Sequence, residues 1–228
     1  MTCPPACPFV VAIDGPAGAG KSTVARRLAA RLGYTFLDTG ALYRTVALIA
    51  QSKQIPWDDS ARLGALAKEL EIVFLHDAER TRILAAGRDV TEEIRRAEIS
   101  EGASRVSALP EVRAGLLDIQ RKVAAHANVV AEGRDIGTVV FPLAQAKFFL
   151  TATPATRAQR RTLELQATGR PAVFDEVLAE MRARDARDSG RAVAPLRRAD
   201  DAVEIDSSQA TPDEVLERMI AIVRERGG

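Results

Sequence analysis

Phe9-Val10-Val11-Ala12-Ile13-Asp14-Gly15-Pro16-Ala17-Gly18-Ala19-Gly20-Lys21-Ser22-Thr23 sets a short apolar run directly against a glycine-rich stretch that closes on Lys-Ser. The run from Phe9 to Ile13 is apolar on both alternating faces, as a strand buried between two layers must be. From Ser22 to Leu32 the residues Val24, Ala25, Leu28, Ala29 and Leu32 recur at helical spacing, and Gly33 follows where a C-terminal cap is expected. Gly15 to Ser22 match the spacing Gly, four residues, Gly, Lys, Ser/Thr, for which this composition allows only about 0.002 chance matches. The order strand, glycine loop, helix lets consecutive backbone N–H groups turn inward around phosphate oxygens at the positive end of a helix. Lys21 is then placed to reach the β- and γ-phosphates of a nucleotide, and the Ser22 hydroxyl to ligate Mg²⁺. The glycines run Gly-x-x-Gly-x-Gly, which sets aside a dinucleotide fingerprint.

Outward from this stretch the pattern repeats. A second short strand over Tyr34–Leu37 leads through Asp38-Thr39-Gly40 into a helix with Leu42, Val46 and Ile49 on one face. Asn128–Ala131, Ala146–Leu150 and Ala202–Ile205 read as further buried strands separated by helical patterns. Strands alternating with helices predict an α/β fold, a parallel sheet covered on both faces. The stretch from about Pro56 to Pro110 breaks the rhythm. Asp58–Leu70 is helical in pattern, but Glu71–Leu75 and Arg82–Ala86 are apolar runs parted by the polar His76-Asp77-Ala78-Glu79-Arg80, a hairpin signal. A small antiparallel subdomain inserted in a single 9–228 domain is the reading.

Composition narrows the function. Of 228 residues, 32 are Lys or Arg and 31 Asp or Glu, a formal net charge of +1, so no global field exists to hold a nucleic acid polymer. Cys3 and Cys7 sit in a proline-broken segment, expected to be a flexible tail over 1–8, and two distant histidines are too few to complete a zinc site with them. The absence of other cysteines fits a reducing compartment. No apolar stretch runs beyond about five residues, far short of a spanning helix or a signal-peptide core. The expectation is a soluble, cytoplasmic protein.

A phosphate loop alone is compatible with kinases, GTPases and motors. The sequence has no Asn-Lys-x-Asp guanine-reading motif and no length for motor machinery, which favours a small-molecule or nucleotide kinase. Such an enzyme holds a second anionic substrate against the γ-phosphate and excludes water, and that calls for arginines on movable pieces. Arg157, Arg160 and Arg161 share one helical face, and Arg184, Arg187 and Arg191 another, with Gly169-Arg170-Pro171 as a turn between them. Two such helices would form a lid over about 157–191 whose charges meet the transferring phosphoryl group. The alternative is a solvated face, with Glu164, Glu180, Asp185 and Asp188 as local partners. Glu132-Gly133-Arg134-Asp135 follows a buried strand, and the C-terminal ends of strands are where open α/β sheets bind ligands. A kinase for a non-nucleotide metabolite and a non-catalytic nucleotide-binding module remain open on these residues alone.

Four stretches resemble the bacterial cytidylate (CMP) kinase family, nucleoside monophosphate kinases of the P-loop class. They are Ile13-Asp14-Gly15-Pro16 through Lys21, Asp38-Thr39-Gly40-Ala41-Leu42-Tyr43-Arg44, Gly133-Arg134-Asp135 through Pro142, and Arg184-Asp185 through Asp188 to Arg191-Ala192-Val193-Ala194-Pro195-Leu196. The resemblance implies a three-layer P-loop fold with a five-stranded parallel sheet flanked by helices, a helical lid, and an enlarged monophosphate-binding insertion over about 39–113. It implies transfer of the γ-phosphoryl group of ATP to CMP or dCMP with Mg²⁺, by a monomer with no membrane or nucleic acid partner. Gly15, Pro16, Ala17, Gly18, Ala19, Gly20, Lys21, Ser22 and Thr23 would bind ATP, with Ser22 on the metal. Arg44 and Arg134 would grip the CMP phosphate, and Ser104, Arg113 and Asp135 would read the cytosine edge. Thr39 and Tyr43 would line the same pocket, Arg184 and Asp188 would lie near the ribose, and Arg191 near the phosphates. Lys21, Arg134, Arg157 and Arg191 would act on the transferring group. Thr39 stands where many members have Ser, Ser22 where some have Gly, and Glu132 where Asp is common.

Overall fold

The computed structural model describes residues 8–76 and 81–228. Residues 1–7, which carry Cys3 and Cys7, and residues 77–80 lie outside the described residues, so all of the expected tail but Pro8 and all of the expected polar turn but His76 do too; His76 is the last residue of a strand. The chain divides into two compact units, one running up to Leu37 and resuming over Arg121–Gly228, the other Asp38–Gln120.

The first unit is built on the opening strand. β1 (Val10–Asp14) is buried at every position, with β6 (Val129–Gly133) paired parallel on one side and β7 (Ala146–Thr151) on the other. β2 (Thr35–Asp38) lies beyond β6, and β8 (Val203–Asp206) pairs parallel beyond β7, giving the order β2-β6-β1-β7-β8. The all-apolar run 9–13 is explained by that central place: neither of its faces meets water. α1 (Lys21–Leu32) turns Val24, Ala25, Leu28 and Ala29 inward and ends at Gly33, as its periodicity predicts. These residues join Ile13, Phe148, Leu150, Ile205, Leu216 and Met219 in one core. Each large aliphatic buried there contributes about 1.5–3 kcal/mol. α8 (Pro212–Glu225), begun by a Thr211–Glu214 capping box, packs against α1.

α6 (Pro154–Ala167) and α7 (Phe174–Ser189) form a helical hairpin around Ala158, Val177 and Met181. Here the structure corrects the sequence reading. α7 stops at Ser189 with Gly190 at its C-cap, so Arg191 does not share a helical face with Arg184 and Arg187. The i, i+7 spacing extends one residue past the place where glycine ends the helix.

The second unit has its own core. α2 (Thr39–Ser52), capped by the Asp38 carboxylate, packs on α4 (Ala97–Val106) and on α3 (Ser60–Glu69). β3 (Ile72–His76) and β4 (Thr81–Ala85) pair antiparallel, Phe74 opposite Ile83, as the hairpin signal predicts. A third strand, β5 (Arg88–Asp89), follows through Ala86-Gly87, both at positive φ. Its two charged residues carry no apolar alternation, so the pattern did not expose it. α5 (Pro110–Val123) completes the unit over its residues up to Gln120, with Val112 and Leu116 in a core shared with Leu42, Val46, Leu63 and Ile99. Among the described residues no helix is long and apolar enough to cross a membrane.

Candidate active site

Gly15, Gly18 and Gly20 all have positive φ, so the loop between β1 and α1 curls as the motif requires. At Gly15 the reason is also steric: a Cβ there would lie 2.0 Å from the Leu150 carbonyl oxygen. Gly20 caps α1 without any side-chain acceptor, which leaves the first N–H groups of the helix for an anion. Ser22 and Thr23 are solvent-facing in the first turn of α1.

Lys21 is only 6% exposed, and its Nζ donates to the Pro16 carbonyl at 2.7 Å, bending back across the loop. Burial first, then the nearby Arg134 and Arg184 guanidiniums, push its ammonium down to about 7, against the opposing pull of Glu132 and Asp14. A cluster of cations this close, in so little water, is complementary to a polyanion.

The end of β6 supplies the next groups. Arg134 donates from Nε to Asp188 at 2.9 Å and from Nη1 to its neighbouring Gly133 carbonyl at 3.3 Å, while Arg191 pairs with the other Asp188 oxygen. Asp188 is 1% exposed. Burial opposes its charge, but Arg134, Arg191 and Arg184 together hold the carboxyl below the usual aspartate range. Asp135 is buried beside these groups, within the field that acts on Asp14.

Arg157 differs from the arginines expected to face a nucleotide. It is buried, with Nε on Ala152 O at 3.0 Å, Nη1 on Ala17 O at 3.0 Å and Nη2 on Asp185 at 2.7 Å. It brackets the glycine loop to α6 and α7. Arg160 turns to Ser207, and Arg161 is exposed beside Glu164. The three therefore do not act as one face, because tertiary partners on different elements draw them apart.

In the second unit, Arg44 donates to Asp38 at 2.6 Å, and the same carboxylate caps α2 through the Ala41 N–H. Thr39 opens that helix and is buried. Arg113 lies over the Tyr43 ring at 5.5 Å and donates to the Ser107 carbonyl at 3.1 Å, and the Ser107 hydroxyl in turn donates to the Ser104 carbonyl. The Ser104 Oγ is buried and makes no hydrogen bond. The structure thus draws Ser104 and Arg113 together with Tyr43, which lies far earlier in the sequence, in one polar cluster.

Three residues here were not among the sequence candidates. Glu132, buried at the end of β6, is a principal counter-charge to Lys21. Asp14, 3% exposed, has its carboxyl pushed up to about 6, chiefly by burial. Asp185 anchors Arg157. The legible signal for the first two was an acidic residue closing an otherwise buried apolar strand, a costly place for a charge. Asp185 carried no signal separable from an exposed helix face.

The Cytidylate kinase family model matches residues 11–225. The chain is 53% identical over 218 residues to a cytidylate kinase from Geobacter sulfurreducens, covering 96% of this chain and 94% of that one. It is 52% identical over 217 residues to one from Geobacter sp. strain M21 (95% and 93% covered) and 44% identical over 217 residues to one from Pasteurella multocida (95% and 96% covered). With a buried lysine in a phosphate loop, arginines gathered around it, and this similarity from end to end, the chain belongs to the cytidylate kinase family.

Proposed function

We propose that the protein transfers the γ-phosphoryl group of ATP to CMP or dCMP, giving CDP or dCDP. The observation that carries this is the cation cluster of Lys21, Arg134 and Arg184 behind a phosphate loop, in a chain of this family. The same reading takes the enzyme as a cytoplasmic monomer, with ATP and CMP as its partners.

The loop N–H groups and Lys21 cradle the β- and γ-phosphates, and Lys21 exchanges its Pro16 acceptor for phosphate oxygens. Arg44 and Arg134 hold the CMP phosphate, while Arg184, Arg191 and Asp188 order the ribose and phosphate side. The acceptor oxygen is already anionic at neutral pH, so no general base is required and catalysis is positioning with charge neutralisation. Arg157, held by protein acceptors, acts through the loop it braces.

The solvent-facing Ser22 hydroxyl is a hard oxygen donor that would suit a hard cation arriving with the phosphates. Bound there, Mg²⁺ would neutralise charge on the β- and γ-phosphates.

Base choice rests on hydrogen-bond complementarity. Cytosine offers an amino donor beside ring-nitrogen and carbonyl acceptors, which suits the Asp135 carboxylate, the Arg113 guanidinium and the free Ser104 hydroxyl. Uracil replaces the amino group by a carbonyl and fits this set less well.

The test is direct: purified protein with ATP and Mg²⁺ receives CMP, dCMP, UMP, AMP, GMP or no acceptor, and diphosphate products are separated by chromatography. CDP and dCDP well above the rest support the reading. ADP released without acceptor, or no CDP, refutes it.

A further inference from the structure

Asp14 is the last residue of β1, directly before Gly15, and its backbone is registered between Gly133 on β6 and Phe149 on β7. Its two carboxylate oxygens each accept one backbone N–H at 2.7 Å, Oδ1 from Ile136 and Oδ2 from Gly137. Those N–H groups open a single π-helical turn, Ile136–Val140, whose N-cap residue Asp135 supplies no side-chain cap. The cap comes from a different strand. Gly137 fits closely beneath it, since a Cβ there would lie 3.4 Å from Asp14 Oδ2 and 3.2 Å from Lys147 Cδ.

The consequence is a bracket. Residues 133 to 136 form a short arc whose first residue is registered to Asp14 in the sheet and whose last is hydrogen-bonded to the Asp14 side chain. Between those two ties stand Arg134 and Asp135 alone. The residue that leads into the phosphate loop therefore also fixes both ends of the segment bearing Arg134 and Asp135. A buried carboxylate is expensive, and a neutral side chain of the same shape could not accept both N–H groups.

We propose that Asp14 is a positioning residue for the phosphoryl acceptor, locking Arg134 and Asp135 in register with the phosphate loop. This rests on the reading that Arg134 and Asp135 hold CMP. The isosteric change Asp14→Asn keeps volume but sets an NH₂ against one of the N–H donors. The expected result is a rise in KM for CMP of about tenfold or more with a fall in kcat, because misplacement of a binding group by about 1 Å costs on the order of a hundredfold. KM for ATP should show a clearly smaller rise, since Asp14 also bears on the Lys21 charge. A purely structural role would lower the melting temperature without separating the two substrates.

The Asp14→Asn, Arg134→Met and double variants form a cycle. If Asp14 works through Arg134 and Asp135, its substitution raises KM for CMP distinctly less in the Arg134→Met background than in the wild type, the remainder passing through Asp135. Independent, multiplying effects, equal effects on ATP and CMP, or an unchanged KM for CMP in Asp14→Asn would overturn the proposal. If Arg134→Met itself leaves KM for CMP unchanged, the acceptor-site reading fails instead. Should Asp14→Asn not fold, hydrogen exchange in the nucleotide-free wild type decides: slow exchange at Ile136 and Gly137 supports the bracket, and exchange at the rate of an open loop refutes it.

Discussion

Lys21 shows how a single residue concentrates the chemistry of this protein. Its ammonium, buried and pressed by Arg134 and Arg184, is poorly solvated, and in the proposed function phosphate oxygens would replace the lost water. Lys21→Ala is expected to lower kcat by about 10²–10³, the loss typical of one preorganised electrostatic group. Steady-state assays with saturating CMP check this, and near-normal turnover would sink the assigned role. Asp188 carries the opposite charge in the same cluster. Its carboxyl is held below the ordinary value of 3.8, so the stabilisation from its arginines is complete above that value and is lost as pH falls through the depressed one. Asp188→Asn leaves buried guanidiniums without their counter-charge and should cost about 3 kcal/mol at neutral pH. Urea titrations should show that gap constant from about pH 7 to 5 and narrowing below about 4. A gap unchanged at the acid end would mean that the loss is one of shape and not of charge. Lys21 was legible because its motif is contiguous. Asp188 was legible as a local partner for the lid arginines, and Arg191 lies only three residues on, but its pairing with Arg134, 54 positions away, is set by folding.

Among the elements, the glycine loop ties backbone geometry to packing. Gly15→Ala drives a methyl into the Leu150 carbonyl at a φ of +146°, while at Gly20, φ +90°, nothing lies within 4 Å of the same methyl. Gly20→Ala should therefore cost only the left-handed backbone penalty of about 1–2 kcal/mol. Gly15→Ala should cost more than about 4 kcal/mol. Thermal or urea unfolding of the two variants separates them, and equal losses would show that φ, and not the Leu150 contact, governs the loop. β1, α1, β6, β7 and the β3–β4 hairpin were legible because each has its own hydrophobic period. The π-turn 136–140 was not, because its cap lies more than a hundred residues earlier on Asp14. β5 was hidden for want of apolar residues. The lid arginines were misjudged in another way: helical spacing predicts a shared face, yet Arg157 is drawn to the loop, Arg160 to Ser207 and Arg191 beyond the helix end.

For the molecule as a whole, ligand binding should appear as stability. A ligand at about 100 times its Kd stabilises the state that binds it by about 2.7 kcal/mol. For a chain of this size that corresponds to a rise in melting temperature of roughly 5–10 °C. CMP should produce this shift, and UMP at the same concentration a smaller one. Equal shifts would count against cytosine recognition by Ser104, Arg113 and Asp135. The strand order β2-β6-β1-β7-β8 places Asp135 within the first unit, and the second unit's own core places Ser104 and Arg113. By itself the sequence determined that a buried strand feeds a phosphate loop, that strands and helices alternate, and that a hairpin interrupts them, because these follow from local period and from the conformational needs of glycine. Only the tertiary structure decided which charges meet. The Lys21 cluster, the Arg113–Tyr43–Ser104 group and the Asp14 bracket join residues tens to more than a hundred positions apart, and their energies depend on burial and distance, which no local pattern encodes.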